Sequence, residues 1–158
     1  MKFRGKLKKS DIPSIEDIVR STGFFHDYEV DIALELVEEN INKGEEKSGY
    51  IFNLAEIKGK PVGYSCYGQT PCTAISFDLY WIAVHDSERG NGIGKILIEM
   101  AEADIAARGG ENIWVETSSR PLYQPTQKFY LKCGYKKVAE LPDFYAKGDN
   151  KIVYVKRV

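Results

Sequence analysis

A turn with glycines at alternate positions, Gly90, Gly92 and Gly94, constrains the fold of this chain more than any other feature. The residues before the turn, 76–84, are rich in aromatic and branched side chains and predict a strand. The residues after it, from about Gly94 to Arg108, carry apolar side chains at helical spacing and predict a helix. The glycines therefore lie in a tight strand-to-helix turn, where the backbone can wrap closely around a ligand.

A turn of this kind predicts a binding site for phosphate groups. Its N–H groups converge, and the start of a helix carries about half a positive charge. The formal net charge of the chain is −1, so a site for a polyanion has to be made locally, and nucleic acid and anionic membranes are not expected partners. The turn and the start of the following helix consist of Arg89, Gly90, Asn91, Gly92, Ile93, Gly94 and Lys95.

Spacing excludes two other phosphate-binding loops. A Walker loop ends in Gly-Lys-Ser/Thr, whereas Gly94 and Lys95 are followed by Ile96. The dinucleotide fingerprint Gly-x-Gly-x-x-Gly needs one more residue than the spacing from Gly90 to Gly94 provides. A flexible turn that binds nothing remains the alternative, although loops seldom carry alternating glycines without a function.

The remaining pattern predicts one domain, residues 1–158, of the α/β class with a mixed sheet and helices on both faces. The expected order is β-α-α-β-β-β-α-β-α-β-β. Asp11 is expected to cap the first helix, and Lys43-Gly44 to end the second. The other expected strands are 2–8, 50–57, 61–69, 112–116, 135–141 and 151–156, and the basic residues of the first one are expected to be exposed. The other expected helices are 28–43 and 125–133, and residues 142–150 are expected to form a loop.

Composition indicates a cytoplasmic protein without a metal. No apolar signal core follows the basic N-terminus, and no apolar run approaches the roughly 20 residues that span a bilayer. Cys66, Cys72 and Cys133 are odd in number and lack metal-ligand spacing. Free thiols in a reducing compartment are the simplest interpretation.

Two motifs resemble one protein family. Arg89-Gly90-Asn91-Gly92-Ile93-Gly94 fits the Arg/Gln-x-x-Gly-x-Gly/Ala motif of the GCN5-related N-acetyltransferases (GNAT), which lies between that family's fourth strand and third helix. The stretch from Lys128 to Tyr135 is similar to the family's second block, a helix ending in Phe/Leu-Tyr-x-x-x-Gly-Phe/Tyr. The element order matches as well, so the resemblance covers essentially the whole chain and implies the GNAT fold.

The resemblance also implies a cofactor and its contacts. Acetyl-coenzyme A would be the donor, with its pyrophosphate on the amides of Arg89 to Lys95. Its pantetheine arm would pair with the strand near Ile82, Ala83 and Val84, where the Val84 amide would stabilise the oxyanion. Many relatives have an asparagine where this chain has Tyr123, so that contact does not carry over. Thr126 is a possible substitute, and Lys128 and Lys132 are candidates for the ribose phosphate.

Acyl transfer to an amine requires a base for the amine and an acid for the departing thiolate. Tyr130 occupies the position of the family's catalytic tyrosine and is the expected acid, with core packing as the alternative. Asp78 is the first candidate for the base, expected on one face of its strand with Tyr80, Ile82 and Val84. Glu116 and then His85 follow Asp78 in rank.

In this family the acceptor pocket is lined by the loops that correspond to residues 24–28 and 143–145. These residues supply aromatic and acidic side chains, which suit a cationic amine. The acceptor is therefore expected to be a small amine or an amino-acid amine. The same residues also fit a core with exposed acids. Two other functions stay open: an acetyl-coenzyme A sensor without turnover, and a nucleotide-binding protein unrelated to acyl transfer. A homodimer is expected from the resemblance alone.

Overall fold

The computed structural model describes residues 1–158 and contains the predicted order of strands and helices, which confirms the mixed α/β fold. The strands are β1 Lys2–Arg4, β2 Ile51–Ile57, β3 Lys60–Gln69, β4 Ser76–Val84, β5 Asn112–Ser118, β6 Lys136–Ala146 and β7 Asp149–Arg157. The helices are α1 Ile12–Ser21, α2 Asp27–Ser48, α3 Ile93–Ala107 and α4 Gln124–Lys132. Short 3₁₀ turns lie at Lys9–Asp11, Asp86–Glu88 and Pro121–Tyr123. None of the helices is both long enough and apolar enough to cross a membrane.

The seven strands form one sheet in the order β1-β2-β3-β4-β5-β7-β6. Every neighbouring pair is antiparallel except β4 and β5, which are parallel because α3 carries the chain back between them. Only Ser76–Asp78 of β4 pair with β5, opposite Asn112–Trp114. Beyond Asp78 the two strands separate, and a cleft opens between them toward the glycine turn.

The helices cover opposite faces of the sheet. Helices α1 and α2 bury Ile15, Val19 and Val37 against Phe52 and Leu54 of β2. Helices α3 and α4 cover the other face, where Ile98 and Ile105 of α3 and Tyr130 of α4 pack with apolar residues of β4, β5 and β7: Phe77, Ile113, Ile152 and Tyr154. The fold is thus built as two apolar layers on one sheet, with the cleft at the point where the sheet changes from antiparallel to parallel.

A β-bulge in β4 corrects one expectation about the site. Cys66 of β3 pairs with Trp81, and the next residue, Tyr67, pairs with Leu79, so Tyr80 is an extra residue without a partner. The bulge reverses the alternation of side chains along the strand. Asp78 therefore does not share a face with Ile82 and Val84: these two pack with the α3 side, whereas the Asp78 side chain points to the opposite face.

Several predicted boundaries were wrong for identifiable reasons. Gly44, with φ of 80° and ψ of 172°, interrupts α2 where its end was predicted, but a further helical segment follows and extends α2 to Ser48. The expected loop 142–150 is instead the end of β6 and the start of β7, joined by a turn at residues 147–148. Strand β5 extends two residues beyond the prediction, to Ser118, because β7 pairs with it that far.

The N-terminal segment also differs from expectation. Strand β1 ends at Arg4, whose side chain is half-buried rather than exposed, because it pairs with Asp11 and Glu56. Asp11 precedes α1 but does not cap it: one carboxylate oxygen accepts a hydrogen bond from the Lys8 N–H at 2.7 Å and the other from Arg4 at 2.7 Å. This buried ion pair fixes β1 against β2.

Candidate active site

The glycine turn has the geometry that requires glycine. Gly90 and Gly92 have φ of 79° and 78°, a left-handed conformation that side chains disfavour, and Gly92 directly precedes α3. A Cβ atom at either position would meet no protein atom within 4 Å, so the space beside both residues is open. At Gly94 a Cβ would lie 3.4 Å from the Phe129 ring, so this glycine allows α3 to pack closely on α4.

The turn also presents a row of free donors. The backbone N–H groups of residues 90–95 make no hydrogen bond to a carbonyl of the chain, since they lie in the turn or in the first turn of α3. Donors in this position at a helix N-terminus bind anions. The free N–H groups therefore suit a phosphate group, and a row of this length suits a pyrophosphate. The Arg89 guanidinium lies beside them, with its Cζ 4.9 Å from the centre of the Phe24 ring and its Nη1 3.1 Å from Oδ1 of Asp86.

The cleft begins where the turn ends. On its β5 side the stretch of β4 from Tyr80 to Val84 pairs with no strand. Ile82 and Val84 contact the core under α3, and Ala83 is buried under α1. An unpaired strand edge can bind an extended ligand through its backbone, as the edge of any sheet can.

Tyr130 lies on α4 with only 6% of its surface exposed. Its ring packs against Phe129, Tyr135 and Tyr154, with centroid distances of 5.6, 5.9 and 5.8 Å. The Tyr135 hydroxyl is a buried oxygen without a hydrogen-bond partner, whereas the Tyr130 hydroxyl is not one of these buried, unpaired atoms. Burial is the main cause that raises the pKa of Tyr130, and the nearby Cys133 and Tyr154 raise it further. The phenol therefore stays protonated at neutral pH.

Asp78 lies at the closed end of the cleft, opposite Trp114 in the last pair of β4 and β5. Its carboxylate accepts a hydrogen bond from the Thr70 hydroxyl at 2.9 Å. Burial is the main cause that raises the pKa of Asp78; Glu116 raises it further, whereas Thr70 and Lys151 lower it. A carboxylate with a raised pKa is a better proton acceptor than an ordinary aspartate.

The structure brings Glu116 to the same place and adds a residue that sequence reasoning missed. The Lys151 ammonium lies 2.9 Å from the Glu116 carboxylate and 4.2 Å from the centre of the Phe144 ring. Sequence reasoning missed Lys151 as a site residue, because the pattern around it predicts only the start of a strand. Alternation with the buried Ile152 was the available signal, since it places Lys151 on the face that α3 and α4 do not cover.

Other predicted residues lie outside this group. His85 caps the 3₁₀ turn after β4, with its Nδ1 2.9 Å from the Ser87 hydroxyl and its Nε2 3.7 Å from Asp17. Tyr123, at the position of the family's asparagine, donates its hydroxyl to the Phe24 carbonyl at 3.2 Å. It therefore ties the segment before α4 to the loop between α1 and α2. Thr126 is half-buried in the first turn of α4.

The structure contains no group of three or more histidine, cysteine, aspartate or glutamate side chains placed to hold a metal ion. The cysteines are free thiols.

Comparison with known proteins gives these features a family. The family model described as an acetyltransferase (GNAT) domain matches residues 48–137, which include the cleft, the glycine turn and α4. No curated protein sequence matches the chain.

Solved structures extend the similarity to the whole chain. A GNAT-family protein from Desulfovibrio desulfuricans is 38% identical with a TM-score of 0.96, covering 99% of this chain and 98% of that one. Aminoglycoside 6′-acetyltransferase type Ii is 25% identical with a TM-score of 0.80, covering 99% and 97%. An aminoglycoside 6′-N-acetyltransferase solved with coenzyme A is 24% identical with a TM-score of 0.77, covering 99% and 97%, and shows the same fold. The chain belongs to the GCN5-related N-acetyltransferase (GNAT) family and has its acetyltransferase fold.

Proposed function

We propose that this protein is an N-acetyltransferase that moves an acetyl group from acetyl-coenzyme A to a primary amine. The observation that carries the proposal is the row of free N–H groups at residues 90–95, which adjoins the unpaired edge of β4. The first feature fits a pyrophosphate and the second fits an extended arm, and both occur in one ligand. Membership of the GNAT family, whose members use acetyl-coenzyme A, supports the same donor.

The backbone N–H groups of residues 90–95 would hold the pyrophosphate, and Ile82, Ala83 and Val84 would line the arm. The Arg89 N–H, which was expected to join them, donates instead to the Asp86 carbonyl at 3.3 Å. Acetyl-coenzyme A supplies an acetyl group activated as a thioester. The Val84 amide, at the end of β4, is the proposed donor to the carbonyl oxygen on which negative charge develops. Thr126, half-buried at the start of α4, is a further proposed contact.

Asp78 and Tyr130 divide the two proton transfers. Asp78 accepts a proton from the ammonium form of the acceptor, directly or through water, because its raised pKa makes it a stronger base. Tyr130 donates its phenolic proton toward the departing sulfur, since its own raised pKa keeps that proton in place until charge develops. Glu116, ion-paired with Lys151, is the second candidate for the base.

The acceptor side of the cleft lies under the α1–α2 loop and the β6–β7 turn. Phe144 and Tyr145 are exposed there, with Phe24 and Tyr123 across from them on the other elements. Aromatic faces and carboxylates recognise ammonium groups, so a small cationic amine is the proposed acceptor class. Residues 1–158 would act as one cytoplasmic acetyltransferase domain, which the full-length structural similarity and the free thiols support.

A panel of amines tests the proposal with a thiol-release assay. The panel contains diamines, amino acids, an aminoglycoside and short peptides, each with acetyl-coenzyme A. Release of thiol that depends on the amine, with a matching acetylated product by mass spectrometry, is the expected result. Binding of acetyl-coenzyme A without thiol release for any amine would identify a sensor instead. Thermal stabilisation by ATP or NAD but not by coenzyme A would refute the assignment of the glycine turn.

A further inference from the structure

Two carboxylates meet at the closed end of the cleft, and only one of them has a cation. Asp78 occupies the last pair between β4 and β5, and Glu116 lies two residues beyond its partner Trp114, on the same face of β5. Lys151 pairs with Glu116 at 2.9 Å. No lysine or arginine lies within ion-pair distance of Asp78, whose direct partner is the hydroxyl of Thr70.

Lys151 is held in place more firmly than a surface lysine. Only 16% of its side chain is exposed, against 52% for Glu116. Its ammonium lies 4.2 Å from the centre of the Phe144 ring, a cation–π distance, so two contacts fix the charge. Antiparallel pairing of β7 with β5 places Lys151 opposite Ser118, two residues beyond Glu116 on β5.

The charged and titratable groups around Asp78 come from every neighbouring element. Thr70 follows β3, Tyr80 is the bulge residue of β4, Glu116 lies on β5 and Lys151 on β7. Glu116 and Lys151 act on Asp78 in opposite directions. The effect of Glu116 on the pKa of Asp78 is the larger of the two, and Lys151 offsets part of it.

We propose that Lys151 is a positioning residue that engages Glu116, so that Asp78 is the carboxylate left free to accept the proton of the acceptor amine. The inference rests on the proposed function, because it assigns Lys151 a role through Asp78. Without Lys151, two carboxylates without a cation would share the closed end of the cleft, and the pKa of Asp78 would rise further. A larger fraction of Asp78 would then be protonated at pH values near its pKa, although the residue itself is intact.

The first test measures the Asp78 carboxyl by ¹³C NMR titration of the full chain, without any substrate. In Glu116→Gln the anion is removed and Lys151 is freed, so the pKa of Asp78 should fall. In Lys151→Met the cation is removed and Glu116 is left unpaired, so it should rise. Each shift should be about one unit, for unit charges about 6 Å apart in an effective dielectric of about 40.

Two further variants separate charge from structural damage. Lys151→Arg keeps the cation and should leave the pKa of Asp78 near its wild-type value. The double variant Glu116→Gln/Lys151→Met should also return it near wild type, because both charges are gone. Disruption of the cleft would not produce shifts of opposite sign that cancel in the double variant. Shifts of the same sign, or no shift, would overturn the proposal.

The second test is the pH profile of kcat for the amine of the panel that reacts fastest. The acid limb should move to lower pH in Glu116→Gln and to higher pH in Lys151→Met, in step with the NMR titration. An acid limb that stays in place while the pKa of Asp78 moves would refute the role of Lys151 in the reaction. A protein that acetylates no amine would refute the proposed function, whereas the titration would still decide whether Lys151 controls Asp78.

Discussion

Replacement of Gly92 by glutamate, with alanine as the matched control, tests the phosphate site most directly. Gly92 has φ of 78°, and a Cβ there meets no protein atom within 4 Å. Both variants therefore incur the same backbone strain, about 1–2 kcal/mol of lost folding stability, and in both the added Cβ lies in open space. Only the glutamate adds a negative charge beside the free N–H groups of residues 90–95.

The charge sets the expected difference in affinity. A carboxylate about 8 Å from a diphosphate with two negative charges, in an effective dielectric of about 40, is repelled by about 2 kcal/mol. The glutamate variant should therefore bind coenzyme A about 30-fold more weakly than the alanine variant. Because the effect is electrostatic and near solvent, the gap should narrow as the salt concentration rises.

Isothermal titration calorimetry with coenzyme A at low and high salt measures the gap, and thermal unfolding without ligand verifies that both variants lose similar stability. Equal affinities of the two variants at low salt would refute the reasoning, because the donors at residues 90–95 would then not contact a phosphate. A gap that is independent of salt would point to a steric rather than an electrostatic cause.

Three other substitutions test the acid, the base and the packing of the sheet. Tyr130→Phe should lower kcat by about 100-fold with coenzyme A affinity retained, and unchanged turnover in steady-state kinetics would reduce Tyr130 to a packing role. The pKa of Asp78 is raised in the folded protein, so its negative charge opposes folding at neutral pH. Asp78→Asn should therefore raise the melting temperature near pH 7 but not near pH 3, where the aspartate is neutral. An equal rise of the melting temperature at both pH values would contradict this reasoning. Gly68→Ala should cost about 3 kcal/mol or more by chemical denaturation, because its Cβ would lie 2.0 Å from the Gly49 carbonyl oxygen. Gly5→Ala, whose Cβ would have its nearest neighbour at 3.6 Å, is the control and should be nearly neutral.

The cofactor side of the site could be predicted from sequence because its determinants are local. The alternating glycines, the strand before them and the helix after them are contiguous, and the backbone conformation of Gly90 and Gly92 follows from residue type. Strand β4 has the predicted bounds, and α3 begins within one residue of its expected start. Here local chemistry and the tertiary fold agree.

The acceptor side could not be predicted, because it is assembled from distant segments. The bulge at Tyr80 depends on how β3 pairs with β4, and one extra residue moves Asp78 to the other face of the sheet. The ion pair of Lys151 with Glu116 joins residues on β7 and β5, two strands that become neighbours only when β7 inserts between β5 and β6.

The sequence by itself determined the order of elements, the glycine turn and hence the family resemblance, since these depend on residue type and on spacing along the chain. Only the tertiary structure decided the side of the sheet on which each carboxylate lies, the three-residue pairing after which β4 and β5 separate, and the partner of Lys151. The physical reason is that strand register and the burial of charge are set by contacts between segments far apart in the chain, where periodicity along one segment carries no information.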